Sequence, residues 1–211
     1  MSRSTRLRDL LGSTAVIPVL VIDEVMGSVP VAHALYDGGL TVFEVTLRTP
    51  VAFSAIAAIA TALPNAIVGA GTVLTAMDAK IAHEAGAQYA VSPGYTSALG
   101  EACMNLDLPL LPGVATPSEV MVAMNDGYDF LKFFPAEASG GTAMLRALSG
   151  PFSKVEFCPT GGIVASNARD YLALKNVRCV GGSWLTPRLE IQKRDWAHLR
   201  ELAQTASRMK G

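Results

Sequence analysis

Asp129-Phe130-Leu131-Lys132-Phe133-Phe134-Pro135 is the stretch on which the fold turns. It is an apolar run of strand length, interrupted by one lysine and closed by a proline. Polar and apolar residues do not alternate, so both faces of such a strand are buried, as in a parallel sheet covered by helices. Lysine is almost never fully buried without a partner. Taking an ammonium out of water favours the neutral amine, and a neutral amine can condense with a ketone to form a Schiff base. The competing reading pairs Lys132 with a carboxylate that merely supports the fold.

Seven further runs share this character: Ala15–Ile22, Thr41–Leu47, Ala66–Ala70, Gln88–Ser92, Leu108–Leu111, Val155–Cys158 and Val177–Val180. With Phe130–Phe134 they make eight candidate strands. Alanine-rich amphipathic segments lie between them, among them Val51–Ala62, Ala76–Ala85, Thr116–Met124 and Thr142–Leu148. Ser28-Val29-Pro30, Thr49-Pro50 and Thr116-Pro117-Ser118-Glu119 read as helix starts, each with a hydroxyl near a proline or acid. Eight βα units imply an α/β fold, a single (β/α)8 TIM barrel over residues 1–211 with an N-terminal helix. A doubly wound open sheet is the alternative, but no Gly-x-Gly-x-x-Gly turn follows the first strand.

A faint repeat supports the barrel. Gly39, Gly86 and Gly127 each close a helix before a strand, where a residue without Cβ is favoured. Glu44 follows Gly39 by five residues, and Lys132 follows Gly127 by the same five. The two ionisable groups therefore share a register, and alternate barrel strands feed the same interior layer. Strand phase then turns Phe130, Lys132 and Phe134 inward with Val42, Glu44, Thr46 and Arg48. Leu131, Phe133, Phe43, Val45 and Leu47 face the helices.

Composition narrows the function. The chain has 211 residues, half of them apolar, with a net charge of -1 and a mean hydropathy of +0.34. Charge is balanced and its basic residues form no block, which argues against a nucleic-acid or membrane partner. No apolar stretch is long enough to span a bilayer. Cys103, Cys158 and Cys179 are scattered and odd in number, which points to a reducing cytoplasm. Arg3, Arg6 and Arg8 before Ala15–Ile22, with Val31-Ala32-His33-Ala34 after it, imitate a signal peptide; Pro18, Asp23 and Glu24 speak against one.

Glycine-containing turns follow many of the strands: Gly69-Ala70-Gly71-Thr72, Ser92-Pro93-Gly94, Pro112-Gly113, Pro159-Thr160-Gly161-Gly162 and Gly181-Gly182-Ser183. The last two follow the seventh and eighth candidate strands, where barrel loops often bind phosphate through backbone N–H groups. Glu44 is the candidate proton shuttle for carbinolamine and iminium chemistry; its structural alternative is an ion pair with Lys132 or Arg48. Arg48 offers the parallel donors that match a carboxylate, and Thr72 a hydroxyl beside it. His33, His83 and His198 fall on helices without ligand spacing, so neither a metal nor a cofactor is expected.

Glu44-Val45-Thr46-Leu47-Arg48-Thr49, Val68-Gly69-Ala70-Gly71-Thr72-Val73, Ser92-Pro93-Gly94, Lys132-Phe133-Phe134-Pro135-Ala136-Glu137, Phe157-Cys158-Pro159-Thr160-Gly161-Gly162 and Gly181-Gly182-Ser183-Trp184-Leu185 together resemble one family. It is the class I, Schiff-base family of 2-keto-3-deoxy-6-phosphogluconate (KDPG) aldolases, many of which also cleave 4-hydroxy-2-oxoglutarate. The resemblance runs unbroken from about Ile17 to Pro187. It implies Lys132 as the Schiff-base lysine and Glu44 as general acid and base. It implies Arg48 and Thr72 on the pyruvate carboxylate, Pro93 and Phe134 shaping the pocket, and Thr160 near the substrate hydroxyls. Gly161, Gly162 and Ser183 would grip the phosphate. It further implies a cytoplasmic homotrimer serving the Entner–Doudoroff pathway, with a phosphorylated keto acid as its small-molecule partner. The galactonate-directed relatives differ at the end of the second strand, where this chain has Thr46-Leu47-Arg48-Thr49. A phosphosugar isomerase or epimerase using Glu44, a pyridoxal-phosphate protein and a phosphometabolite sensor are the competing functions, since one fold can host them all.

Overall fold

The structure is a computed structural model that describes residues 2–209. The order is α1(Thr5–Leu11), β1(Val16–Leu20), α2(Val25–Asp37), β2(Val42–Thr46), α3(Ala52–Ala62), β3(Ile67–Gly71), α4(Ala76–Glu84), β4(Tyr89–Val91), α5(Ser97–Asn105) and β5(Leu110–Leu111). There follow β6(Gly113–Val114), α6(Pro117–Asn125), β7(Phe130–Phe133), α7(Gly141–Ser149), β8(Glu156–Pro159), α8(Ala168–Leu172), β9(Val180–Gly182), α9(Arg188–Lys193) and α10(Trp196–Ser207).

The strands form a curled six-stranded sheet, ordered β5-β4-β3-β2-β1-β9, and a second sheet, β6-β7-β8. Every strand pair is parallel. The fifth expected strand, Leu108–Leu111, is shortened to β5, and just past Pro112, where a turn was expected, the chain makes a second short strand, β6. Proline has no N–H to give the ladder, yet the Pro112 carbonyl still accepts a 2.8 Å bond from Lys132 N–H. The eighth strand lies later than expected. Val177 makes one isolated bridge to Phe157, and the second bridge, Thr160 to Gly181, runs from the end of β8 to β9.

Two clusters divide the apolar core as strand phase requires. Phe130 and Val42 join Ile17, Leu111 and Cys158 in an inner cluster. Leu131, Phe133, Phe43 and Val45 belong to the larger cluster under the helices. Fully burying a side chain of this size contributes roughly 1.5–3 kcal/mol. Leu7 and Leu11 of α1 also enter the inner cluster, so the N-terminal helix stops the amino end of the sheet. Arg8 pins it there, with Nε 2.6 Å from Glu156 and Nη1 2.8 Å from Asp129. Ser4 Oγ accepts the N–H groups of Asp129 and Phe130 at 3.2 and 3.1 Å. The base of the Lys132 strand is therefore fixed by the chain's first turn.

The helix ends follow the glycine repeat. Gly39, Gly86 and Gly127 have φ of 92, 95 and 90°. In each case the glycine N–H bonds the carbonyl three residues back, and the next residue bonds five back, as in Tyr36 and Leu35 for Gly39 and Leu40. This is the paired closure of a left-handed helix cap. The helix starts were less faithful. Thr116 caps α6 in a reciprocal box with Glu119. Ser28-Val29-Pro30, by contrast, lies inside α2, which begins at Val25 and tolerates Pro30. Thr49 caps nothing; its hydroxyl donates 2.6 Å to the Ile22 carbonyl and ties the β2 end to β1. The apolar run that imitates a leader peptide contains β1, buried throughout between β2 and β9. The three cysteines are buried, and among the described residues none forms a disulfide. Among the described residues, no helix is long and apolar enough to cross a membrane.

Candidate active site

Every residue singled out for chemistry lies on a strand or just past its carboxyl end. Glu44 is on β2 and Lys132 on β7, at the register the glycine repeat gives them. Arg48 follows β2, Thr72 follows β3, Pro93 follows β4 and Phe134 follows β7. Thr160, Gly161 and Gly162 follow β8, and Ser183 follows β9. With α1 covering the amino end, the carboxyl end is the face left for a ligand.

Lys132 and Glu44 meet inside it. Nζ lies 3.3 Å from Glu44 Oε1, and the residues are 5% and 3% exposed. Removing two charges from water costs several kcal/mol per ion, about what such a pair recovers. The pair therefore adds little stability, and its place at the open end fits chemistry better than scaffolding. Among the described residues, Glu44 makes its ion pair with Lys132 and not with Arg48. Arg48 is exposed at the mouth of the site. The Phe134 ring stands 5.2 Å from Nζ, centroid to nitrogen, and supplies an apolar wall.

Bare backbone makes room for the pair. A β-carbon on Gly71 would lie 2.6 Å from Glu44 Cγ. One on Gly69 would strike the ring of Tyr89, whose hydroxyl donates to the Phe43 carbonyl at 2.9 Å beneath the pair. Burial pushes the Tyr89 phenol well up, and the charge of Glu44 adds to it. A Cβ on Gly113 would lie 2.6 Å from the Ser92 carbonyl, and Gly113 is the register partner of Lys132. Gly71, Gly113, Gly181 and Gly182 were expected in turns; like Gly69, which the expected third strand already contained, they are strand residues. Glycine inside a strand marks close approach by another group, and that signal would have placed them correctly.

The rim carries the remaining candidates. Thr72 is half-buried with φ of 61°, a left-handed backbone for a β-branched residue. Such strain costs of order 1–3 kcal/mol and gathers at functional sites. Thr160 is 7% exposed, and its side chain packs on Gly181, where a Cβ would come 3.2 Å from Thr160 Cγ2. Gly161 and Gly162 have φ of 99 and 78°. Phe134 covers Gly161, whose Cβ would lie 3.2 Å from the ring. Ser183 is exposed beside a cavity of about 710 Å³ that also touches Val19 and Arg188. Two bent glycines and a free hydroxyl on neighbouring strand ends suit an anion. Among the described residues, no three His, Cys, Asp or Glu side chains gather as metal ligands would.

Known proteins resemble this chain in sequence and in fold. Residues 7–202 match the family model described as KDPG and KHG aldolase. The KHG/KDPG aldolase of Escherichia coli K12 is 50% identical over 202 residues, covering 96% of this chain and 95% of its own. The KDPG aldolase of Legionella pneumophila, solved with pyruvate as a covalent carbinolamine, superposes with a TM-score of 0.91 at 46% identity, covering 94% of this chain and 96% of its own. The Zymomonas mobilis enzyme, solved with 3-phosphoglycerate, gives a TM-score of 0.92 at 45% identity, covering 97% and 96%. This chain belongs to the KDPG and KHG aldolase family.

Proposed function

We propose that the chain is a class I aldolase that cleaves 2-keto-3-deoxy-6-phosphogluconate to pyruvate and glyceraldehyde 3-phosphate, and 4-hydroxy-2-oxoglutarate to pyruvate and glyoxylate. The buried Lys132 amine, 3.3 Å from one carboxylate at the open end of the strands, carries this reading. Glu44 takes a proton from the Lys132 ammonium, the freed amine adds to the C2 ketone, and a proton passes from the nitrogen to the alkoxide to give the carbinolamine. Glu44 then gives its proton to the carbinolamine hydroxyl, which leaves as water and gives the iminium. Glu44, directly or through a held water, then takes the C4 hydroxyl proton. The C3–C4 bond breaks, its electrons flow into the iminium, and the aldehyde departs. The remaining enamine takes a proton at C3, and water releases pyruvate and free Lys132.

Arg48 and Thr72 would hold the carboxylate, Pro93 and Phe134 the three-carbon unit, and Thr160 the hydroxyls. Gly161, Gly162 and Ser183 would hold the phosphate. The isolated bridges Phe157–Val177 and Thr160–Gly181, which join β8 and its end to the segment leading into β9 and to β9 itself, and the Pro112 join between β5 and β6, support a closed (β/α)8 barrel. A homotrimer in the cytoplasm completes the reading, on family likeness alone; light scattering checks the first.

Borohydride added with pyruvate tests the mechanism. A reduced three-carbon adduct is expected on the Lys132 peptide, seen by mass spectrometry. Unmodified Lys132, under conditions that trap a known Schiff-base aldolase, would end the proposal. A coupled pyruvate-release assay on both substrates, with and without EDTA, completes the test.

A further inference from the structure

The lysine strand and the glycine turn are fastened to each other beyond the sheet. Ala136 N–H bonds the Thr160 carbonyl at 2.8 Å, and Glu137 N–H bonds the Gly161 carbonyl at 3.1 Å. The stem of Glu137 then fills the space where Gly162 would carry a side chain; a Cβ there would lie 2.7 Å from Glu137 Cβ. On its other side, Gly162 is held by Asn167 Nδ2, which donates to its carbonyl at 3.1 Å.

Glu137 is exposed, and a free glutamate has many rotamers. Here one is selected from below. Tyr171 of α8 is 1% exposed, and its hydroxyl donates to Glu137 Oε1. Gly141 leaves room for that hydroxyl, since a Cβ there would lie 3.2 Å away. Burial and the neighbouring carboxylate both push the Tyr171 phenol up, so it stays a donor at any working pH. A buried phenol thus holds the carboxylate, the carboxylate stem holds Gly162, and two backbone bonds join that turn to the segment after Lys132.

We propose that Tyr171 and Glu137 are positioning residues that set selectivity for phosphorylated substrates, by holding the Gly161–Gly162 turn at a fixed distance from Lys132. The inference rests on the function proposed above. A phosphorylated six-carbon keto acid must reach Lys132 with its ketone and the glycine turn with its phosphate. The five-carbon 4-hydroxy-2-oxoglutarate carries no phosphate and does not depend on that distance.

The test is steady-state kinetics of the full-length protein and its Tyr171→Phe, Glu137→Gln and Glu137→Ala variants on both substrates. Inorganic phosphate serves as a competitive inhibitor. Tyr171→Phe should raise KM for the phosphorylated substrate about fivefold, the scale of one lost hydrogen bond, and weaken phosphate inhibition to match. Its kcat, and kcat/KM for the five-carbon substrate, should stay within about twofold of wild type, since Lys132 and Glu44 are untouched. Glu137→Ala should behave like Tyr171→Phe. Glu137→Gln keeps an acceptor oxygen for the phenol and should recover most of the loss. Parallel losses on both substrates, or none on either, would overturn the positioning role. Wild-type protein that traps no pyruvate on Lys132 would instead remove the aldolase reading, so the two failures are distinct.

Discussion

A β-carbon on Gly71 would lie 2.6 Å from Glu44 Cγ and 2.7 Å from its Cδ. The Glu44 carboxylate can point at Lys132 because the strand beside it has no side chain at that place. Gly71→Ala should therefore displace Glu44 and cost about 1–3 kcal/mol through overpacking. Misplacement of a catalytic group on the ångström scale costs about a hundredfold in rate. Turnover on both substrates should fall by roughly that factor while the protein still folds. A Gly71→Ala enzyme with wild-type kcat would show that Glu44 need not be held there.

Lys132 and Glu44 also make a stability prediction, because the pair is buried and each charge answers the other. Lys132→Met leaves a carboxylate unpaired at 3% exposure, a change that typically costs about 3–5 kcal/mol. Adding Glu44→Gln removes the stranded charge. The double variant should be more stable than Lys132→Met alone, though equally inactive. Urea midpoints of the four proteins give the coupling. A double variant that loses the sum of the single losses would mean that the pair is not a compensating unit.

The glycine repeat made this pair legible. Gly39 and Gly127 close their helices in the same way, so the strands that follow begin at matched heights, and residues five positions on face each other. Strand phase was legible for a similar reason, since only one alternation puts Lys132 inside with Phe130. The seams were not. Whether Pro112 ends a strand or interrupts one depends on the neighbouring β7, which is far off in sequence. The hydroxyl of Thr49 looked like a helix cap, but tertiary structure gave it the Ile22 carbonyl instead. The Tyr171–Glu137 bond was equally hidden, because neither residue's local pattern announces a partner.

Acid should unfold the chain from its amino end. Partial burial pushes the Asp129 carboxyl up, but hydrogen bonds from Ser2 and Arg8, the Arg8 charge and Ser4 outweigh it and hold it below the usual range. In the unfolded chain its pKa is the ordinary one, about 3.9. Folding thus favours the ionised form. That contribution is complete above the ordinary value and is lost as pH falls through the lower folded one. Protonation also loosens Arg8 and the α1 helix that it pins. Asp129→Asn should be less stable than wild type at pH 7 and show a flatter loss below pH about 4. Urea midpoints taken in steps from neutral pH to acid should converge; two curves that stay parallel would remove Asp129 from the acid transition.

Thr72 should separate stability from function. Its φ of 61° is one that glycine adopts freely and a β-branched residue does not. Thr72→Gly should relieve strain worth about 1 kcal/mol, partly offset by the greater freedom glycine has when unfolded. The net change in stability should be small or favourable. The same change deletes the hydroxyl that stands with Arg48 at the proposed carboxylate site. KM should rise about tenfold for both substrates, because both carry the same 2-keto acid end, and one charge-assisted hydrogen bond is worth roughly that much. Thermal unfolding and kinetics on one preparation decide the matter. A marked loss of stability would mean that Thr72 is kept for the fold, and an unchanged KM would remove it from the carboxylate site.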